Sequence, residues 1–218
     1  MPLNSVQIVT GQLEENCYLL WKDGSTQAVV FDPGDEAQRI GRMLQERSLS
    51  IAAFLQTHCH FDHIGALSDL KNANPSAPLY VPRLEAEWLE RPTLNLSYFF
   101  GASMTGPRPE HLVDDGNEIA VAELTFKAIA VPGHSPGGTA YLVEEAGSPP
   151  HLFCGDILFA GGIGRTDLPG GAGEDVLIEG IRARLFTLPD DTVVHPGHGP
   201  ETTIGRERQS NPFCALRT

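Results

Sequence analysis

The stretch Thr57-His58-Cys59-His60-Phe61-Asp62-His63 follows directly on the apolar run Ile51–Gln56. With 8 His and 12 Asp in 218 residues, the pattern H-x-H-x-D-H arises by chance in fewer than about one such chain in a thousand. Its spacing has a physical meaning. An extended backbone sends residues two apart to the same side, so His58 and His60 can grip one ion together. Cys59, between them, points the other way. As the chain turns into the next helix, Asp62 and His63 swing to a neighbouring position. Imidazole nitrogens with carboxylate oxygens suit borderline divalent ions such as zinc, iron or manganese. One loop can therefore start two adjacent metal sites.

Such a loop needs completing from elsewhere. His134 lies in P-G-H-S-P-G-G (132–138), Asp156 in C-G-D (154–156) and His198 in P-G-H-G (196–199). Each comes after an expected strand, and the surrounding Gly and Pro let the backbone turn sharply and approach closely. Alone, a His after a strand is usually a turn or core residue and Gly-Asp is usually a turn. Taken with residues 57–63, all three are expected to ligate metal. His111, His151 and His195 lie outside these contexts and are read as structural.

Outward from this segment, Val6–Thr10, Cys17–Trp21, Ala28–Asp32, Ile51–Gln56 and Leu79–Val81 read as strands. Asp32-Pro33-Gly34-Asp35 reads as a turn, and Glu36–Glu46, Ile64–Lys71 and Arg83–Arg91 as helices. The rhythm then repeats, with strands at Glu118–Val121, Leu124–Val131, Thr139–Glu144, His151–Cys154 and Thr192–His195 and a helix from Glu174 to Leu185. Two similar halves of layered sheets with helices outside are expected, as one α+β domain over residues 1–218. Residues 92–112, around Tyr98-Phe99-Phe100, show no period; a loop that long either tucks its aromatics into the core or serves as a substrate lid.

The formal charge of -13, from 28 acidic and 15 basic residues, opposes a broad nucleic-acid or membrane surface. No protein partner is expected, and the expected partner is a small molecule. Four scattered Cys without C-x-x-C pairs read as free thiols of a reducing compartment. With neither a signal-peptide pattern nor a long apolar run, the expected location is the cytoplasm.

Together T-H-C-H-F-D-H, P-G-H-S-P-G-G, C-G-D and P-G-H-G resemble the metallo-β-lactamase superfamily from about residue 5 to 212. The resemblance implies a four-layer αββα sandwich with two divalent metals, zinc first and iron or manganese as alternatives, at the edge of the two sheets. His58, His60 and His134 would hold one metal, Asp62, His63 and His198 the other, and Asp156 would bridge them. An Asp rather than a Cys at that bridge argues against the class B1 lactamases. Within the superfamily, G-D-I-L-F-A-G-G-I-G-R-T-D (155–167) and V-H-P-G-H-G-P-E-T-T-I-G-R-E-R-Q-S-N-P-F (194–213) look like the short form of glyoxalase II (hydroxyacylglutathione hydrolase). This implies hydrolysis of a thioester such as S-lactoylglutathione by a metal-bridging hydroxide, with Asp62 orienting the nucleophile. Arg165 matches a basic substrate-binding residue of the longer enzymes, whereas Asp167 replaces their aromatic and their C-terminal helical domain has no counterpart here. The rival reading is a mononuclear iron persulfide dioxygenase of the same superfamily, its iron held by His58, His134 and Asp156. Arg108 is a weaker candidate for a substrate carboxylate.

Overall fold

A computed structural model describes residues 2–216. The first sheet contains β1 (Leu3–Thr10), β2 (Glu15–Lys22), β3 (Gln27–Phe31), β4 (Ser50–Leu55), β5 (Leu79–Pro82) and β6 (His111–Val113), side by side in chain order. Its first three strands are antiparallel and the last four run parallel. The second sheet has the order β14-β13-β10-β9-β8-β7, made of β7 (Glu118–Val121), β8 (Leu124–Ala130), β9 (Thr139–Val143), β10 (His151–Gly155), β13 (Val193–Pro196) and β14 (Thr202–Thr203). Between β10 and β13 the chain forms a small hairpin, β11 (Leu158–Phe159) and β12 (Gly162–Ile163).

The side-chain alternation of the strands builds the layers. On β2, Cys17 and Leu19 face a core shared with α1 (Ala37–Glu46), α2 (Phe61–Ile64) and α3 (Leu67–Ala73), whereas Tyr18 and Leu20 face the second sheet. On β9 and β10, Tyr141, Val143 and Phe153 point into that same central layer. Their neighbours Ala140, Leu142, Leu152 and Cys154 pack outward with Leu177 of α4 (Glu174–Gly180) and Ile204 of α5 (Ile204–Ser210). Two sheets face to face with helices outside each make the αββα sandwich expected from the sequence.

The sequence reading differs from the structure in instructive places. The single helix expected at Ile64–Lys71 is two, because Gly65 packs tightly on the Gly34 carbonyl and the chain breaks there. Its start also lies earlier, so Asp62 and His63 occupy the first turn of α2. The segment Arg83–Glu90 winds as 3₁₀ turns, and the helix from Glu174 widens into a π-type turn at Ile181–Leu185. The hairpin β11–β12, the strand β14 and helix α5 carry too few residues to show a period, and no sequence signal marked them. Among the described residues no helix is long and apolar enough to cross a membrane.

Phe31 anchors the central layer: its ring stacks on Phe153 at 4.0 Å and meets Phe126 edge-on at 5.7 Å. Phe31→Ala should lower the unfolding free energy by about 3–5 kcal/mol in urea titration, because the rigid sheets cannot close the cavity; a loss under about 1 kcal/mol would show that the layers collapse onto each other.

Candidate metal centre

Parallel pairing puts strand ends at one edge. β3 and β4 run parallel in one sheet, β10 and β13 in the other, and the loops leaving their carboxyl ends meet there. After β4 come His58 and His60, with Asp62 and His63 in α2; after β8, β10 and β13 come His134, Asp156 and His198. All seven ligand candidates converge. His60 Nδ1 lies 2.9 Å from His134 Nε2. Asp156 stands in the middle, with Oδ2 3.5 Å from His134 Nε2 and 3.6 Å from His198 Nε2, and Oδ1 3.4 Å from His63 Nε2. Asp62 Oδ2 is 3.4 Å from His198 Nε2 and 3.9 Å from His63 Nε2. Ligand atoms of His58, His60 and His134 lie within 4.8 Å of one another, and those of Asp62, His63 and His198 form a second such group.

For four of the five rings an outward partner decides which nitrogen faces inward. His134 Nδ1 donates to the Arg165 carbonyl at 2.7 Å and His198 Nδ1 to the Leu13 carbonyl at 3.0 Å. His63 Nδ1 meets Asp32 Oδ2 at 3.1 Å, and His58 Nδ1 meets Thr57 Oγ1 at 3.1 Å. Four rings thus turn Nε2 to the centre, while His60 presents Nδ1. His58 Nε2, His63 Nε2 and Asp156 Oδ1 are buried without a hydrogen-bond partner, an arrangement that costs free energy unless a cation satisfies it. At Gly197 any Cβ would collide with Asp156 Oδ1 and the His63 ring, so the backbone itself closes one side. These donors fit a binuclear divalent-metal site.

Protonation favours the same conclusion. Burial, reinforced by the surrounding imidazoles, holds His58 far below the ordinary imidazole range, and burial beside His134 pushes His60 down to about 3. Burial works against charge on His63 too, yet the carboxylates of Asp156 and Asp62 outweigh it and hold its pKa well above the ordinary value. Burial would raise Asp156 and Asp62; the adjacent imidazoles, His63 foremost, instead hold both below the usual carboxylate range. Neutral His58 and His60 and two ionised acids are ligand forms, and the carboxylates that favour a proton on His63 equally favour a metal cation in that proton's place.

Three supporting acids escaped the sequence reading. Asp32, read as part of a turn, takes φ +42° and accepts from Thr57 N at 2.7 Å, Thr57 Oγ1 at 2.5 Å and the His63 ring. Asp tolerates that left-handed backbone better than most residues. Glu15 is buried with Oε1 3.8 Å from His63 Nδ1. Glu85 is buried and accepts from Cys59 N and Gly137 N, each at 2.7 Å, tying the T-H-C-H-F-D-H loop to P-G-H-S-P-G-G. An acid inside an expected helix gives no sign of such a role; only Asp32, at the end of a strand like Asp156, carried a usable signal.

The other candidates lie elsewhere. His111 is exposed and stacks on Tyr80, while His195 stacks on His151, donor and acceptor 2.8 Å apart, and meets Glu201 at 2.9 Å. Cys59 is buried in the apolar core between helices and first sheet. Above the ligands a cavity of about 430 Å³ opens. Arg165 is on its rim, held by Asp167 through two bonds of 2.7 and 2.8 Å, whereas Arg108 is not part of the lining.

The chain matches the metallo-beta-lactamase superfamily model over residues 10–198 and belongs to that family. It is 39% identical over 204 residues, 93% of each chain, to the probable metallo-hydrolase YqgX of Bacillus subtilis (strain 168). It is 36% identical over 202 residues, 92% of each chain, to the hydroxyacylglutathione hydrolase GloC of Haemophilus influenzae. Among solved structures, BLEG-1 B3 metallo-beta-lactamase superposes with a TM-score of 0.91 at 39% identity, covering 98% of this chain and 100% of that one. TTHA1623 in a di-iron-bound form gives 0.83 at 35%, covering 95% and 99%. ETHE1 from Myxococcus xanthus gives 0.77 at 29%, covering 97% and 84%.

Glu85→Gln should place an amide N–H₂ against a backbone N–H and lower stability by about 1–3 kcal/mol, with metal bound per chain falling in parallel by elemental analysis. Unchanged stability and metal content would remove Glu85 from the support of the site.

Proposed function

We propose that this metallo-β-lactamase-fold protein is a metal-dependent thioester hydrolase. The observation that carries the reading is Asp62, an ionised carboxylate at the cavity floor, beside Asp156 and five imidazoles whose inward nitrogens face one point. Similarity to GloC over 92% of both chains supports the thioester as the bond attacked. His58, His60 and His134 would hold one cation, Asp62, His63 and His198 the other, with Asp156 between them. Bound there, divalent cations supply a water acidified toward neutrality and a Lewis acid for the carbonyl oxygen. Zinc is the first choice and iron the second, the latter supported by the di-iron form of TTHA1623.

The protein's own groups do the rest. Asp62, braced by His198, orients the attacking water and can take its proton. A thiolate of parent pKa about 8.5 leaves without help from a general acid, so the cavity needs no dedicated proton donor. Water is limited by the aromatic wall of Phe61 and Phe100, rings 4.6 Å apart. The four cysteines, all unpaired and buried, support a reducing cytoplasmic setting.

Two observations favour other readings of the same centre. The likeness to ETHE1 supports an iron-dependent persulfide dioxygenase, and that to BLEG-1 supports cleavage of a β-lactam amide. One preparation separates the three: metal content per chain, thioester hydrolysis, oxygen uptake with glutathione persulfide, and hydrolysis of a β-lactam. The thioesterase reading expects hydrolysis that a chelator abolishes and Asp62→Asn lowers about 10²–10⁴-fold in kcat. A fully metal-loaded protein that cleaves no acyl thioester, S-lactoylglutathione included, refutes it.

A further inference from the structure

The cavity has a polar floor and apolar walls. Leu96, Phe159, Ile163 and Leu168 line its main chamber of about 430 Å³. A second lobe of about 270 Å³ shares Leu13, Phe61, Asp62 and Phe100 with it and continues along Ala102 and Met104. The aromatic residues expected either in the core or in a lid are not in the core: Tyr98, Phe99 and Phe100 are 61%, 64% and 62% exposed. Their turn is nonetheless built. Buried Asn95 donates to the Trp88 and Met104 carbonyls at 3.0 Å each and accepts from Ser97 N at 3.0 Å, while Ser97 Oγ accepts from Met104 N at 3.1 Å. These bonds hold Phe100 against Phe61 at the junction of the two spaces. Exposed rings on a fixed turn, facing a reaction floor, suit an apolar ligand.

Charge points the same way. Arg165 is the one cationic side chain among the residues lining either space apart from the histidines, and Asp167 already engages its guanidinium on two nitrogens. All three lysines lie elsewhere: Lys22 pairs with Glu145, Lys71 with Glu110, and Lys127 is on β8. The second lobe carries Asp35 and Asp62 and no cation. A glutathione moiety would bring two carboxylates to walls that offer them no free partner.

Building on the thioesterase reading, we infer that the substrate is an uncharged thioester with an apolar acyl group, held by Leu13, Phe61 and Phe100, in preference to a hydroxyacyl thioester of glutathione. Water cleaves the C–S bond, giving the carboxylate, the thiol and one proton, so no other reactant is needed.

The test uses metal-loaded full-length protein with acetyl, butanoyl and hexanoyl thioesters of N-acetylcysteamine and with S-lactoylglutathione. Calorimetry with the uncleavable ethyl and hexyl thioethers of N-acetylcysteamine gives a readout independent of turnover. Burial of four more methylenes should raise kcat/KM, and tighten thioether binding, at least about tenfold from the shortest chain to the longest. Phe100→Ala, at a largely exposed position that spares the fold, should compress both ratios below about threefold. Asp167→Asn, which frees Arg165, should raise kcat/KM for S-lactoylglutathione several-fold. Flat chain-length profiles, or S-lactoylglutathione outrunning the hexanoyl thioester, overturn the inference while leaving thioester hydrolysis standing. Tight hexyl thioether binding without cleavage of any thioester does the reverse.

Discussion

Five imidazoles gathered at the edge of two sheets cannot all carry a positive charge, and much of the surrounding structure meets that constraint. Mutual repulsion and burial keep His58 and His60 neutral. His63, facing four acids within 4 Å, is the ring whose charge the site favours. Outward hydrogen bonds to Thr57, Asp32 and the carbonyls of Arg165 and Leu13 then fix which nitrogen of His58, His63, His134 and His198 turns inward. Without a cation the inward nitrogens of His58 and His63 have no hydrogen-bond partner. The aromatic layer around Phe31 and Phe153 ties the two sheets together beneath the site.

Those ties reach the site itself. Asn16 Nδ2 donates to the Pro196 carbonyl at 2.9 Å, Tyr18 Oη does the same at 2.9 Å, and Thr139 N donates to the Thr57 carbonyl at 2.9 Å. Each bond crosses from one half to the other beside a ligand-bearing loop. The histidines from the two halves therefore cannot drift apart without breaking buried hydrogen bonds. At Gly155, φ is +49° and a Cβ would strike Thr57, so the strand ending in Asp156 can approach the first sheet only as glycine.

The legibility of the sequence reflects this division of labour. The convergence of His58, His60, Asp62, His63, His134, Asp156 and His198 was legible because ligand chemistry allows few residue types and the strand ends present them at fixed spacing. The sandwich was legible because β2, β3, β9 and β10 are apolar on both faces. Glu85 was not, because a buried acid that accepts from a distant backbone N–H has no local pattern and its partner Cys59 is 26 residues away; Asp32, which reaches Thr57 25 residues away, had only its place after a strand to mark it. Nor did the overall charge of -13 disclose the imidazole cluster, since composition says nothing of which side chains meet.

The same division explains why the ligand set alone does not choose a reaction. A hydroxyacylglutathione hydrolase, a protein crystallised with two irons, ETHE1 and a B3 metallo-beta-lactamase all align with at least 92% of this chain. A floor of buried rings and carboxylates tolerates little change, because the rings are oriented by separate hydrogen bonds and every shift leaves another buried atom unpaired. The walls carry no such constraint. Leu13, Phe61, Leu96 and Phe100 present side chains to the cavity that make none of the hydrogen bonds orienting the candidate ligands, so those side chains can change with less disturbance of the centre. On the proposed reading the floor sets the chemistry and the walls the specificity.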